Sequence, residues 1–377
     1  MRKKAIYHHR TQATDAQGIH INEMVNAFIR QGIDIKMVAL VQDEALGQES
    51  REGVLGKISS VLPSLVYELM EIGFNIPGIF RLYRTAVKER PLFIYERYSI
   101  YNLAGLVVSR LTGIPLIEEV NAPLAREKKT YGDLYFSGMA QFIETLIING
   151  SSRSITVTEA LKKMLVHKGA DEKNIVVMPN GINLGDYPVD AAGKKGKELV
   201  LGFIGWFRQW HGLESLVKIF AAQKWHEKNV RLLLVGDGPL RGILEKNITR
   251  LGLENHVTIT GAVPRDQLGD YLDQMDIALQ PAATSYACPM KLIEYMAASK
   301  AIVAPDQPNI RELLVHAYNG LLFKPGDIDD LARQIESLLT DGEMISRLGR
   351  VARKTVETRP LNWNYNAEQV IELIPSL

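Results

Sequence analysis

One cysteine in 377 residues, Cys288, excludes an internal disulfide and any zinc site built from several cysteines. Beside Pro289 it reads as a small apolar filler, with a nucleophile as the alternative. Charge of one sign is lacking too. The 44 basic and 43 acidic residues leave +1 at neutral pH, and no basic or stacking motif of the nucleic-acid binders stands out. No apolar run reaches the roughly 18 residues that span a bilayer. The nearest, Ser59 to Phe80, is interrupted by Glu68 and Glu71. The start, Met1-Arg2-Lys3-Lys4-Ala5-Ile6, is basic but lacks the apolar stretch of a secretion signal. These absences lead to the expectation of a cytoplasmic protein, with contact at the inner face of the membrane left open.

What is present is an alternation of strand and helix patterns, the mark of α/β architecture with parallel sheets covered on both faces. β-rich runs lie at Lys4–His8, Ile35–Val41, Leu92–Tyr95, Leu116–Val120, Ser154–Thr158 and Ile175–Met178. They resume at Val200–Ile204, Arg231–Val235, His256–Thr260, Ile277–Gln280 and Ala301–Ala304. Amphipathic stretches such as Ile19–Arg30, Leu161–Lys168 and Leu213–Ala222 separate them, and Leu124 to Gly150 reads as helical. The small, charged, Gly-containing segment Asp190-Ala191-Ala192-Gly193-Lys194-Lys195-Gly196-Lys197 has linker composition. The expected organisation is a domain over 1–190, a linker at 191–197, a second domain over 198–360 and a terminal helix over 361–377 that crosses back to the first. Ligands in such sheets bind at the carboxyl ends of the strands.

The most informative stretch runs from Ser285 to Ala304. Pro289 suits a first helical turn, and Leu292, Ile293, Met296 and Ala297 recur at helical spacing. The unpaired N–H groups of that turn favour an anion, and Lys291 adds a full positive charge there. With Glu294 one turn in, the set suits a diphosphate and a ribose diol. A buried helix with one exposed Lys and one exposed Glu is the plainer alternative. Elsewhere Gly18, His8, His9 and His20 sit near a strand end and helix start, and Glu96-Arg97-Tyr98 and Asn121 follow strands. Arg97 reads either as a ligand contact or as a salt bridge at the start of a helix. Glu118 and Glu119 fall on opposite faces of one strand. Thr158 suits an N-cap. Asp327-Ile328-Asp329 has the form of a metal-binding pair, but Asp327 capping the helix after it accounts for it, and no metal is expected.

Several of these stretches together resemble the retaining GT-B glycosyltransferases of family 4. The resemblance rests on Pro289-Met290-Lys291-Leu292-Ile293-Glu294-Tyr295-Met296-Ala297 with its following strand, Val235-Gly236-Asp237-Gly238-Pro239, Pro179-Asn180-Gly181-Ile182-Asn183, Gly205 to Gly212, and Pro308-Asn309-Ile310-Arg311-Glu312. It implies two Rossmann-like, doubly wound domains facing a cleft. Further, it implies transfer of a sugar from a nucleotide diphosphate sugar, with retention and without metal, in polysaccharide or glycoconjugate biosynthesis. No cofactor is implied, and a UDP-sugar is favoured over a GDP-sugar. The acceptor is a sugar or glycan, a lipid-linked one and a peripheral membrane contact being left open. Carried over by position, Arg208, Lys291 and Asn121 are the catalytic candidates. Gly18, Gly205, His211, Met290, Leu292 and Glu294 would hold the donor, and Arg97 and Tyr98 the acceptor. His211 stands where lysine is usual and would serve best protonated. Tyr286 stands where the family has a second acid, Trp206 where it has arginine, and Asn121 where it has histidine. A nucleotide-sugar epimerase of the same fold and a non-catalytic sugar-nucleotide binder are the alternatives.

Overall fold

A computed structural model describes residues 3–11, 16–39, 64–132, 134–188 and 198–374. In chain order the first elements are β1 (Lys3–His9), α1 (Ala16–Arg30), β2 (Ile33–Ala39), α2 (Ser64–Gly73), α3 (Asn75–Glu89) and β3 (Ile94–Arg97). Then come α4 (Ala104–Thr112), β4 (Leu116–Val120), α5 (Leu124–Tyr131), α6 (Ser137–Gly150), β5 (Arg153–Thr156), α7 (Glu159–His167) and β6 (Ile175–Val177). The second series holds β7 (Leu199–Ile204), α8 (Leu213–Ala222), β8 (Val230–Val235), α9 (Arg241–Arg250), β9 (Val257–Ile259), α10 (Leu268–Gln274) and β10 (Ile277–Leu279). It closes with α11 (Met290–Ala297), β11 (Ala301–Pro305), α12 (Pro308–Arg311), β12 (Leu321–Phe323), α13 (Ile328–Leu339), α14 (Gly342–Thr358) and α15 (Trp363–Glu372).

The chain packs as two units, Met1–Pro179 with Trp363–Leu377, and Asn180–Asn362. Residues 180–188 therefore pack with the second unit, upstream of the linker segment, which lies outside the described residues. Each unit holds a six-stranded parallel sheet, ordered β2-β1-β3-β4-β5-β6 in the first and β12-β11-β10-β7-β8-β9 in the second. In both, the order reverses beside the unit's first strand, the place where such sheets open a crevice at the strand ends.

Parallel strands are covered on both faces, so they read as near-continuous apolar runs. The middle of β1 and all of β4 are buried, and Leu201, Phe203, Leu232 and Leu234 anchor the second core with Phe220 and Trp225. Helix α1 buries Ile21, Met24 and Phe28 at helical spacing. Helix α15 packs on α1, with the Trp363 ring edge-on to His20 at 4.9 Å between centroids.

Two readings change. The strand β12 adds a twelfth run that is too short for periodicity to show. The helical stretch from Leu124 to Gly150 breaks into α5 and α6. Thr158 and Asp327 do cap their helices, accepting from the N–H groups of Leu161 and Asp330 at 3.0 Å each.

Candidate functional site

In the second unit, chemistry gathers where β7 meets α11. Ile204, the last residue of β7, donates its N–H to the Tyr295 hydroxyl at 2.8 Å, so the tyrosine fixes the helix against the strand end. Two asparagines hold the loop in front of α11. Asn309 donates to the carbonyls of Thr284 and Ala287 (3.0 and 2.7 Å), and Asn180 to that of Cys288 (2.8 Å). The Gly236-Asp237-Gly238 turn supports the neighbouring loop, since Phe207 donates its N–H to the Asp237 carbonyl at 2.6 Å.

Pro289 precedes the helix as its N-cap rather than lying in its first turn (φ −70°, ψ 111°). Leu292 is fully buried and already donates its N–H to the Pro289 carbonyl at 3.0 Å. That leaves the Met290 and Lys291 amides at the tip, and removes Leu292 from the set expected to face a donor.

Lys291 curls back over the end of β7. Its Nζ lies 4.1 Å from the centre of the Phe203 ring and 3.4 Å from His211 Nε2. The aromatic face supplies a cation–π contact. Gly205 makes room for the amine. A Cβ there would stand 2.9 Å from Nζ, and its φ of +139° is a backbone conformation that L side chains rarely adopt. Burial pushes the amine down to about 7, against a smaller upward pull from Glu294. Among the described residues Lys291 forms no ion pair.

His211 differs from the expectation. Burial first, and then the Lys291 charge, push it down to about 3, so the ring is neutral. Its Nε2 faces Lys291, while Nδ1 lies 3.4 Å from the Arg208 N–H. The neutral ring packs beside Lys291 without adding a second charge. Arg208, in the same loop, lays its guanidinium over Trp210, 5.6 Å from the ring centre.

Glu294, buried on the second turn of α11, accepts from Arg265 Nη1 at 2.9 Å, and Arg265 Nη2 lies 3.5 Å from the Tyr187 hydroxyl. Arg265 and Tyr187 went unread in the sequence. Arg265 directly follows Pro264, at the end of the loop after β9, but nothing in its spacing points toward Glu294. Cys288 is buried and its thiol is pushed up to about 12, which makes it a filler rather than a nucleophile.

The first unit gathers a different set. Across β1, β3 and β4 the register places His8 beside Glu96 and Glu96 beside Glu118, with Arg97 beside Glu119. Strand alternation sends the two groups to opposite faces. His8 Nδ1 bonds the Glu96 carboxylate, and Glu118, fully buried next to it, is pushed well above the usual carboxylate range by burial and by Glu96. On the other face, Arg97 donates to Glu119 at 2.7 Å and contacts His20 Nδ1 at 3.2 Å, while Asn121 donates its amide to the same Glu119 oxygen. Arg97 is thus taken up by a carboxylate in register with it on the neighbouring strand, at a strand end and not at the start of a helix. Tyr98 is buried beside Glu144, whose carboxyl burial pushes up to about 7. Neither Arg97 nor Tyr98 is turned outward for an acceptor. Asn121 is only partly buried at the end of β4, and Gly18 is buried in the first turn of α1.

Two family models match in tandem: Glycosyltransferase Family 4 over residues 17–186 and Glycosyl transferases group 1 over residues 189–355. The chain belongs to the GT-B glycosyltransferases. A D-inositol 3-phosphate glycosyltransferase of Pseudarthrobacter chlorophenolicus is 23% identical, over 95% of this chain and 90% of its own. An uncharacterised glycosyltransferase of Methanocaldococcus jannaschii is 22% identical over 62% of this chain, which spans 61% of that relative. Among solved structures, Anabaena HepE in complex with UDP and glucose superposes with a TM-score of 0.74 at 18% identity, with all of both chains covered.

Gly205→Ala is expected to lower stability by about 1–3 kcal/mol, because it combines a strained φ with a clash at the Lys291 amine. Urea denaturation of the second unit, followed by tryptophan fluorescence, checks this.

Proposed function

We propose that this glycosyltransferase moves a hexose from a UDP-sugar to a sugar or glycan acceptor, with retention and without a metal ion, in the assembly of a polysaccharide or glycoconjugate. The observation that carries the reading is the half-buried Lys291 amine, packed against Phe203 and a neutral imidazole with no carboxylate of its own. A cation in that setting is stabilised when an anion arrives, and a diphosphate at the tip of α11 would supply one. Arg208 and the Met290 and Lys291 amides would share it, Arg208 through a planar fork suited to phosphate. As the bond to the sugar breaks, charge grows on the leaving diphosphate, and donors already fixed in place act most strongly there. Glu294, held by Arg265, would take the ribose hydroxyls with its remaining acceptor capacity. Asn121 cannot accept a proton from the attacking hydroxyl. Its amide is committed to Glu119, so its carbonyl would orient a sugar hydroxyl, and the leaving phosphate would serve as the base. HepE, whose structures hold UDP and UDP-glucose, supports the choice of donor, as the match to a family that acts on sugars supports the acceptor class. A lipid-linked acceptor and contact with a membrane surface belong to the same reading.

Incubation with UDP-, GDP- and ADP-sugars without acceptor tests the class of reaction. Slow release of free nucleotide from a UDP-sugar, unaffected by EDTA, is expected. An altered sugar on an intact nucleotide would instead mean an epimerase, and binding without turnover a non-catalytic protein.

Affinity for UDP-glucose is expected to fall with pH. In the free protein the amine titrates at about 7, and a bound diphosphate raises that value, so above pH 7 binding must take up a proton. The Kd therefore rises by up to about tenfold per pH unit above 7, and Lys291→Met abolishes the slope. Titration calorimetry between pH 6 and pH 9, with fixed ionic strength, measures both.

Arg208→Ala should raise the UDP-glucose Kd by about tenfold or more, as expected for a lost charge-assisted pair. Unchanged affinity would remove Arg208 from the donor site.

A further inference from the structure

Helix α3 carries apolar side chains on two sides. Asn75, Gly78, Leu82 and Ala86 are buried against the rest of the first unit. A second row, Ile76, Phe80, Tyr83 and Val87, is spaced four, three and four apart and so also falls on one face. That row points outward, at 77%, 62%, 41% and 53% exposure. Leu69 and Phe74, on and just after α2, are exposed as well. The eleven steps from Ile76 to Val87 make the row about 16 Å long, larger than the scattered exposed apolar residues usual on a surface.

The charges beside the row are of one sign. Arg81, Arg84 and Lys88 lie along the helix, and the Arg84 guanidinium sits over the Phe80 ring at 5.5 Å from its centre. The one acid in α3, Glu89, is bound by Lys4 at 2.7 Å. Among the described residues, Arg84 and Lys88 form no ion pair. An exposed apolar row flanked by unneutralised basic groups suits the boundary between headgroups and acyl chains of an anionic bilayer. A second copy of this chain is a poorer occupant, because a two-fold pairing would bring the two Arg84–Lys88 edges into the same contact.

We propose that the outer face of α3 is a peripheral membrane-binding surface, with Ile76, Phe80, Tyr83 and Val87 entering an anionic lipid surface and Arg84 and Lys88 engaging its headgroups. This names the surface for the membrane contact in the functional reading above. Its test uses neither donor nor acceptor, so either can fail while the other stands.

Flotation of the full chain with vesicles tests it, comparing phosphatidylcholine alone with phosphatidylcholine containing about 30% phosphatidylglycerol. Partition onto the anionic vesicles is expected, weak on the neutral ones and reduced at high salt. Ile76→Ser with Phe80→Ser should lower it at least tenfold, from the loss of two inserted side chains. Arg84→Glu with Lys88→Glu, at exposed positions that the fold tolerates, should lower it by about tenfold or more. Unaltered UDP affinity and thermal melting would show that both variants are folded. No partition, equal partition on the two vesicles, or wild-type partition by both variants would overturn the proposal. So would self-association in solution that the Ile76→Ser, Phe80→Ser variant abolishes while vesicles capture nothing.

Discussion

An ammonium group half-buried beside a benzene ring and a neutral imidazole is costly to keep charged. Lys291 is held that way, and much of the second unit is arranged around it. The Tyr295 hydroxyl fixes α11 to the end of β7, and Gly205 leaves the space that the amine fills. Phe203, inside β7 on the same strand end, supplies the ring. The only carboxylate one turn away, Glu294, is claimed by Arg265. Because burial pushes the amine down to about 7, the group sits at the edge of losing its proton. Any anion that docks there gains from restoring full charge, which couples recognition of the ligand to the protonation of its partner.

The first unit handles charge in the opposite way. Several of its buried acids meet a base across the sheet, His8 with Glu96 and Arg97 with Glu119, in rows that follow strand register. Glu119 is kept ionised although fully buried, by His20 and Arg97. Glu118, one residue earlier and on the other face, is pushed well above the usual carboxylate range by burial and then by the neighbouring Glu96 and Glu119. One strand thus carries two adjacent glutamates shifted in opposite directions, decided by what lies across the sheet. Breaking such a pair on one side leaves an uncompensated buried charge, so these residues hold the strand ends in place before any ligand is considered. Asn121 inherits its orientation from that network through Glu119.

This difference also marks how far the sequence could be read. The helix from Met290, its lysine and its glutamate are written within nine consecutive residues, so local pattern is enough to find them. The asparagines of Pro179-Asn180-Gly181 and Pro308-Asn309 are legible as motifs, and the structure supplies their common purpose, the support of the loop before α11. Protonation was not legible. His211 looks like a basic residue until Lys291 is seen 3.4 Å away, since a second charge so close and so buried is disfavoured. Arg97 looks like a ligand contact until the register of β3 and β4 sets it against Glu119. Arg265 and Glu294 lie 29 residues apart, and no period connects them. Each miss is a contact between elements whose pairing local sequence does not encode.

The two units therefore differ in how they carry charge. Fixed positive charge without an internal partner lies in the second unit, where the leaving group would need it. The first unit neutralises its interior, which leaves the end of β4 with a hydrogen-bonding amide in place of a charge. What positive charge the first unit leaves unpaired on α3 faces outward, on Arg84 and Lys88 beside an apolar row.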